Sequence, residues 1–366
     1  MSQVVITGLG LVTPFGTDKQ EIAHALANGD SGLRWLCDEP PEKNRGLAAA
    51  APAIYESKFG HDPVVEMAMQ ASESAVQDAA IDLSLMDPTR VGCVIGTSKG
   101  LLDTYADDFQ DKQQLAVGYP GFQPNAPARY VASHLGCHGP CLCPIAACAT
   151  GLASLARGVQ LIDDGYCDVV LAGSSDASIC DWVLNSFNRL GVLARNFDDP
   201  ANAVRPFSDD REGFLVGEGA AVFVLESEDH ARSRSASVRA KWLGCASGSD
   251  PTGITQIDES GRNFVPVIQA CLRRAGISPA DVDLLNLHGT GTVPNDRCEA
   301  NAIAIAFGSR PIERRAYKAM IGHCLGAAGS LEIAFSLLEG GWNTQLKTSL
   351  GFGGHLLAAL IERSAR

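Results

Sequence analysis

The sequence predicts an α/β protein built from two similar halves, and three observations support this prediction. Apolar stretches with the length of strands alternate with stretches of helical periodicity along the 366 residues. Most of the strand-like stretches are continuously apolar, as in sheets that helices cover on both faces. The order of elements is about the same in residues 1–235 and 236–366, so we predict a boundary between the halves near residue 235.

Strands and helices alternate in the first half. The strands are expected at residues 4–8, 90–96, directly before Cys148, 169–172 and 218–226. The helices are expected at residues 22–27, 64–80, after Pro127, and through 160–163. This assignment places Cys148 at a sharp junction between a strand and a helix.

The second half repeats this alternation over fewer predicted elements. Strands are expected at residues 240–246 and 284–288, and helices at residues 264–275 and 299–307. Since no low-complexity linker separates the two halves, we expect them to share one interface.

The charge balance excludes several classes of function. Hydrophobic residues make up 46% of the chain and charged residues 19%, as in ordinary globular proteins. The formal net charge of -13 argues against nucleic acid and anionic membrane surfaces as partners. No apolar stretch is long enough to span a membrane, and residues 1–6 lead directly into a strand, so we expect a cytoplasmic protein.

Twelve cysteines are scattered along the chain. Because no secretion signal accompanies them, reduced thiols are expected rather than a disulfide framework. A local cluster superficially resembles a metal site, and it contains His134, Cys137, His138, Cys141, Cys143 and Cys148. Its spacing matches no zinc pattern, so we predict no metal there.

Cys148 is the first candidate for a reacting group. A helix N-terminus carries partial positive charge on its unpaired N–H groups, and this charge favours the thiolate, which is the attacking form. A thiol at this junction therefore suits nucleophilic catalysis. The alternative is a buried structural cysteine, because free cysteine packs like a small apolar side chain.

His288 is the second candidate, at the end of a predicted strand. The run Gly-Thr-Gly-Thr follows over residues 289–292. Ligands of α/β folds usually bind in such loops, where glycines allow a close approach and threonine hydroxyls can bind an amide or a phosphate. Asn295 and Asp296 could equally cap the helix that begins near Glu299.

His323 is the third candidate, in the run of residues 318–329 that begins with Lys318. The small residues after His323 permit tight helix packing. His323 would lie at the approach to the N-terminus of this helix, where the helix dipole disfavours imidazolium. We therefore expect a neutral imidazole with an N–H directed into a site, although a lone histidine is more often structural.

These motifs resemble those of the β-ketoacyl-(acyl carrier protein) synthases, condensing enzymes of the thiolase superfamily, and the elongating type is most similar. The resemblance spans nearly the whole chain, through residues 4–10, 205–214, 217–220 and 351–354. It implies a thiolase-like fold with two similar halves in α-β-α-β-α layers. It also implies a dimer whose contact includes residues 127–144.

The resemblance implies an acyltransferase of specialised fatty-acid or polyketide synthesis. Cys148 would take an acyl group from a carrier-protein thioester, and a malonyl thioester would then be decarboxylated and condensed with it. His288 and His323 would stabilise the enolate. Lys318, paired with Glu299, would hold the electrostatics of the site.

The same resemblance assigns groups that contact the substrate. The backbone N–H groups of Cys148 and Leu350 would form the oxyanion hole. Thr290 and Thr292 would meet the phosphopantetheine arm of the acyl carrier protein, and Leu350 and Phe352 would line the substrate site. Neither a metal nor a redox cofactor is implied.

Three features depart from the family pattern. Leu350 stands at the gatekeeper position, where the family usually has phenylalanine. Only about twenty residues separate Gly329 from Leu350, so a hairpin and a loop near the entrance are expected to be missing. Residues 55–63, which are commonly basic and dock the acidic carrier, contain few basic residues. Other candidates for carrier docking are Arg129, Arg189, Arg195 and Arg205.

Two other functions stay open at this point. The chain could be a non-catalytic subunit that shapes chain length in a heterodimer with a ketosynthase-like protein. It could also be a condensing enzyme that uses coenzyme A thioesters directly, without a carrier protein.

Overall fold

The computed structural model describes residues 3–39, 41–43, 45–104 and 123–364 of the chain. Its strands are β1 (Val4–Val12), β2 (Arg34–Trp35), β3 (Ala49–Ala51), β4 (Val91–Gly96), β5 (Cys141–Leu142), β6 (Val169–Asp176), β7 (Val216–Gly217), β8 (Gly219–Ser227), β9 (Ala240–Ser249), β10 (Leu284–Asn286), β11 (Glu313–Arg315), β12 (Thr344–Gly351) and β13 (His355–Arg363). Its helices are α1 (Lys19–Asn28), α2 (Pro63–Asp78), α3 (Ala126–Leu135), α4 (Thr150–Asp163), α5 (Asp181–Leu190), α6 (Glu228–Ser233), α7 (Val265–Ala275), α8 (Val293–Phe307), α9 (Lys318–Ile321) and α10 (Ala328–Glu339).

Two sets of five strands share one order and one pattern of directions. The first is β5-β4-β6-β8-β1 and the second is β11-β10-β12-β13-β9. In each set the second strand runs parallel to both neighbours, and the fourth runs antiparallel to both. Antiparallel pairing of β1 with β9 joins the sets into one mixed sheet. The prediction of two similar halves is thereby confirmed.

Helices α4 and α10 form the central layer between the two sets of strands. Residues 328–337 of α10 are buried on every face, as expected of a helix with sheets and helices all around it. The helices cross closely, because a β-carbon at Gly151 would lie 2.6 Å from the Ser330 nitrogen and one at Gly329 would lie 2.9 Å from the Leu152 nitrogen. Glycine therefore sets the spacing of this layer.

Further helices cover the outer faces of the sheet. Apolar residues of α2 and α3 pack on strands of the first half, and those of α7 and α8 pack on strands of the second half. The result is the predicted α-β-α-β-α layering. In the part of the chain that the structure describes, no helix is long and apolar enough to cross a membrane.

Most predicted elements are present, with shifted ends. Strand β1 extends to Val12, and helix α8 begins at Val293 rather than at Glu299. The strand predicted directly before Cys148 was wrong, because β5 ends at Leu142 and the following residues are irregular. Proline at residue 144, which lacks an N–H for strand pairing, gives a physical reason for this early end.

Candidate active site

Cys148 lies in a tight turn rather than at a strand end. A turn of 3-10 helix spans Ala147–Ala149 and leads directly into α4. Ala147 has a φ of 46°, a left-handed conformation that is costly for a residue with a β-carbon. The Ala146 N–H donates to the Thr150 hydroxyl at 2.8 Å, which holds the turn closed. The thiol thereby reaches a cavity of about 520 Å³.

The Cys148 thiol is buried, with only 9% of the residue exposed. Burial raises its pKa to about 11, although the Lys99 and Lys318 ammonium groups act in the opposite direction. This raised pKa disagrees with the predicted preference for thiolate in the unliganded protein, since desolvation outweighs the effect of the nearby cations.

Two histidines face the same cavity from the second half of the chain. His288 follows the end of β10 by two residues, and His323 lies between α9 and the 3-10 turn that precedes α10. Their ring centroids are 5.5 Å apart, with the planes at 81°. Both residues line the cavity together with Cys148.

Hydrogen bonds assign the tautomer of each imidazole. The Leu325 N–H donates to His323 Nδ1 at 3.2 Å, and the Lys318 ammonium lies 3.3 Å from His288 Nδ1. Because each Nδ1 accepts, the ring proton resides on Nε2 in both residues. Burial lowers the pKa of both histidines, and Lys318 lowers it further. The site therefore presents two neutral N–H donors, in agreement with the prediction for His323.

Buried ion pairs lie beneath the histidines. Glu332 binds Lys318 and Lys347, each at 2.5 Å, and all three side chains are fully buried. Lys318 also donates to the His288 carbonyl oxygen. The predicted pairing of Lys318 with Glu299 was wrong, because Glu332, one helical turn into α10, reaches the ammonium instead.

Glu299 has a different task, which is to hold the loop that carries His288. Its carboxylate accepts the N–H groups of His288 at 2.8 Å and Gly289 at 2.9 Å, and it also accepts the Thr348 hydroxyl. Burial raises the pKa of Glu299, and these three hydrogen bonds oppose that rise. Glu299 therefore positions His288 through the backbone.

The substrate-contact residues predicted from sequence all line the cavity: Thr290, Thr292, Leu350 and Phe352. The hydroxyl oxygens of Thr290 and Thr292 are 2.8 Å apart. Left-handed backbone at Gly289 and Gly291, with φ of 45° and 75°, turns the loop back on itself. Two hydroxyls therefore face the cavity on the same wall as His288.

The comparison with known proteins decides the family. A model described as "Beta-ketoacyl synthase, N-terminal domain" matches residues 1–231, and one described as "Beta-ketoacyl synthase, C-terminal domain" matches residues 239–339. The chain belongs to the β-ketoacyl synthase family. It is a ketosynthase, and thus an acyltransferase, with the thiolase-like fold.

Relatives of this ketosynthase come from polyketide and fatty-acid synthesis. The tetracenomycin polyketide synthase ketoacyl synthase alpha subunit of Streptomyces glaucescens is 33% identical over 91% of this chain and 83% of that protein. The 3-oxoacyl-(acyl-carrier-protein) synthase 2 of Staphylococcus aureus is 32% identical over 92% of this chain and 85% of that protein.

Solved structures of ketosynthases superimpose over the whole chain. A type II polyketide synthase acyl-carrier protein in complex with its ketosynthase, bound to the hexaketide, matches with a TM-score of 0.90 at 28% identity, over 100% of both chains. A β-ketoacyl synthase from Burkholderia phymatum also matches with a TM-score of 0.90, at 26% identity and over 100% of both chains.

The second N–H group of the predicted oxyanion hole comes from a different residue than we expected. The N–H that faces the Cys148 sulfur belongs to Phe352. Leu350, which we expected to supply it, lies two residues earlier, inside β12 and opposite Leu356 of β13. The chain leaves β12 after Gly351, whose missing β-carbon allows the backbone to pass the Ala146 carbonyl, where a β-carbon would lie 2.6 Å away.

The capping role that we considered for Asn295 and Asp296 was also wrong. Both residues lie inside α8, which begins at Val293. Asp296 instead accepts the N–H groups of Phe207 at 2.7 Å and Gly291 at 3.2 Å. The Asp296 carboxylate therefore connects the loop of residues 289–292 to Phe207, which belongs to the first half of the chain.

Sequence reasoning missed several polar residues that shape the site. Lys347, in β12, completes the buried pairs with Glu332. Asp176, at the end of β6, is 1% exposed and accepts the N–H groups of Ser98 and Gly326. Lys99 lines the cavity. The sequence contains a signal for Lys99, because a charged residue three positions after an apolar strand lies where α/β folds bind ligands.

Proposed function

We propose that this ketosynthase condenses an acyl group held on Cys148 with a malonyl group delivered by an acyl carrier protein, with loss of carbon dioxide. The observation that carries the proposal is the shared cavity of one thiol and two Nε2–H donors. A chain-length subunit without catalysis would need none of these three groups together.

In the first step, the Cys148 sulfur attacks the thioester carbon of the acyl carrier. The new sulfur–carbon bond replaces the bond to the carrier sulfur, and the carrier thiol departs with the proton that Cys148 gives up. The backbone N–H groups of Cys148 and Phe352 are proposed as the oxyanion hole, since the Phe352 N–H faces the sulfur. Because the thiol pKa is raised, proton transfer accompanies the attack.

In the second step, the malonyl thioester loses carbon dioxide and becomes an enolate. The Nε2–H groups of His288 and His323 donate to the thioester oxygen as its charge develops, and they are present as neutral donors before the reaction begins. The enolate carbon attacks the acyl carbonyl, and the Cys148 thiolate leaves and regains a proton from water. Thr290 and Thr292 are proposed to bind the phosphopantetheine arm.

Carrier docking is proposed at the cavity mouth. Arg189 and Arg195 are exposed and flank the cavity-lining segment of residues 190–192. Arg205 is less available, because its guanidinium binds the Asn202 and Asp210 carbonyl oxygens. Two exposed cations beside the entrance suit an acidic carrier even on a protein with a net charge of -13.

A dimer is proposed through strand β5, which forms one end of the ten-stranded sheet. A strand at a sheet edge has unpaired backbone groups that can pair with a second chain. Ile145, three residues after the end of β5, is 51% exposed, which adds an apolar contact. The second chain is either an identical copy or a ketosynthase-like partner. We place the dimer in the cytoplasm, where thiols stay reduced; the structure records all twelve cysteines as free.

The test of the proposed chemistry is acylation followed by condensation. An acyl carrier thioester should leave an acyl adduct on the peptide that contains Cys148, detected by mass spectrometry. Cys148→Ala should abolish the adduct, whereas Cys180→Ala, a half-buried thiol outside the cavity lining, should retain it. His323→Gln should keep the adduct but lower carbon dioxide release about 100-fold or more.

Acyl groups from coenzyme A serve as the comparison donor. If Cys148 receives acyl groups from coenzyme A as fast as from any carrier protein, the carrier part of the proposal is wrong. If no donor acylates Cys148, the enzyme is idle and the condensing function is wrong altogether.

A further inference from the structure

One wall of the cavity contains an ammonium group that the condensation chemistry does not use. Lys99 follows β4 by three residues and lines the cavity that also contains Cys148. The lining of this cavity also includes the apolar side chains of Phe187, Leu190 and Val192. A cation in such a wall needs an explanation, because burying an ammonium without acceptors is costly.

A hydrogen-bond network fixes the position of this ammonium. Lys99 Nζ donates to the hydroxyl oxygens of Ser98 at 2.7 Å and Ser178 at 3.0 Å. Both hydroxyls donate in turn to the carboxylate of Asp176, which is 1% exposed. This carboxylate is itself held by two backbone N–H groups, so the network cannot easily rearrange.

The network leaves one donor of Lys99 for a ligand. An ammonium has three N–H groups, and the two serine hydroxyls accept two of them. The Asp176 carboxylate forms an ion pair with the ammonium at 3.9 Å, a distance too long for a hydrogen bond, so it does not take the third donor. Among the described residues the remaining contact is the ring of Phe187, whose centroid is 5.9 Å from Nζ. About a quarter of the Lys99 side chain is exposed.

The ammonium lies near the groups proposed to react. A row of rings links it to the second histidine: the centroid of Phe187 is 5.6 Å from that of Phe214, which is 4.9 Å from that of His323. The Lys99 charge also acts directly on Cys148, where it is the largest influence lowering the thiol pKa. An acyl group on Cys148 therefore lies within the field of this cation.

We propose that Lys99 is a specificity-determining residue that binds a ketone oxygen of the acyl group, so that the ketosynthase prefers keto-bearing acyl donors to saturated ones. This inference rests on the proposed function, since it concerns the group that Cys148 accepts. A saturated acyl chain would displace water from the Lys99 ammonium without offering a hydrogen-bond acceptor. A ketone oxygen accepts the hydrogen bond that the displaced water had accepted.

The test compares acyl donors of equal length with and without a ketone. Hexanoyl, 3-oxohexanoyl and 5-oxohexanoyl carrier thioesters are offered to the intact protein, and kcat/KM for acylation of Cys148 is measured by mass spectrometry. We expect at least one keto donor to exceed hexanoyl. Lys99→Met, which keeps an unbranched chain but removes the charge, should lower kcat/KM for that donor about 10- to 100-fold. The value for hexanoyl should stay equal or rise.

Controls separate this role from an effect on the thiol. Lys241→Met removes a lysine that is bound to Glu228, outside the cavity lining, and should leave the preference unchanged. The rate of Cys148 alkylation by iodoacetamide reports thiol reactivity independently of the acyl chain. Lys99→Gln repeats the test if Lys99→Met does not fold.

Four results overturn the inference. The first is a wild-type protein that prefers hexanoyl. The second is an equal loss with all three donors in Lys99→Met. The third is a rise in the KM of the malonyl carrier that does not depend on the acyl group, which would assign Lys99 to the malonyl carboxylate. In these three cases Cys148 is still acylated, so the proposed function survives. The fourth is a Cys148 that no donor acylates, and it overturns both.

Discussion

Burial shifts the pKa of the three side chains that we propose as the reacting groups. It raises the pKa of Cys148 to about 11 and lowers the pKa of His288 and His323. Both shifts favour the neutral form. We therefore expect the proposed reacting atoms to be neutral in the unliganded protein, so that charge develops as substrates react.

The pH dependence of the two steps should therefore differ. A histidine with a lowered pKa stays neutral from pH 6 to 8, so carbon dioxide release by the acylated enzyme should be constant over this range. The rate of Cys148 alkylation by iodoacetamide should rise about tenfold for each pH unit between 7 and 9, because the thiolate fraction follows the raised pKa. Both are measured as initial rates. A fall in carbon dioxide release with a midpoint near 6.5 would show that a histidine charges, contrary to this expectation.

Residue types in motifs could be read from the sequence, but their partners could not. The sequence indicated Cys148, His288 and His323, because the glycines and small residues that flank them can be recognised without a structure. The pairing of Lys318 with Glu332 rather than Glu299 depends on how α10 packs against β10 and β12. The same holds for the Phe352 N–H, whose direction depends on where β12 ends.

At the scale of elements, two equivalent turns lie beside the proposed catalytic residues Cys148 and His323. Ala147 precedes α4 with a φ of 46°, and Leu325 precedes α10 with a φ of 42°. Each leads through a 3-10 turn into a central helix. Long periodic helices and apolar strands were predictable, whereas these turns were not, since neither contains glycine at its left-handed residue.

The crossing of α4 and α10 should be sensitive to a single methyl group. Gly151→Ala improves helix propensity, but its β-carbon would meet the backbone nitrogen of Ser330 at 2.6 Å. We expect the free energy of unfolding in urea to fall by about 1–3 kcal/mol from this collision. Condensation should fall as well, because Cys148 and His323 precede the two helices that move apart.

The matched control lies two residues further along α4. Ala153→Gly, at a partly exposed position at the edge of the core, should cost about 1 kcal/mol through helix propensity and the lost methyl contact, and should leave condensation unchanged. A Gly151→Ala protein that is more stable than the wild type would show that the helices can separate freely.

At the scale of the whole molecule, the open edge at β5 suggests where a second chain binds. Cys141 is exposed there, and its register partner in β4 is Cys93. The neighbouring Cys93 thiol lowers the pKa of Cys141 to about 7, with Arg129 adding to the effect and burial opposing it. An accessible Cys141 would thus react readily at neutral pH.

Protection of Cys141 should report the proposed dimer contact. In the dimer isolated by size exclusion, iodoacetamide should modify Cys37, an exposed thiol outside the proposed contact, and leave Cys141 unmodified until urea is added. Peptide mass spectrometry measures both sites in one sample. Equal modification of Cys37 and Cys141 in the intact dimer would place the contact elsewhere.

Dissolved salt reaches the charges of this ketosynthase unequally. Counterions screen exposed groups over about 8 Å at physiological ionic strength, and Arg189 and Arg195 are such groups. Lys318, Lys347 and Glu332 have no exposed surface, so counterions cannot approach the pairs beneath the histidines. If the carrier protein docks at Arg189 and Arg195 as proposed, added salt should weaken its capture and leave the rate of condensation by the loaded enzyme unchanged.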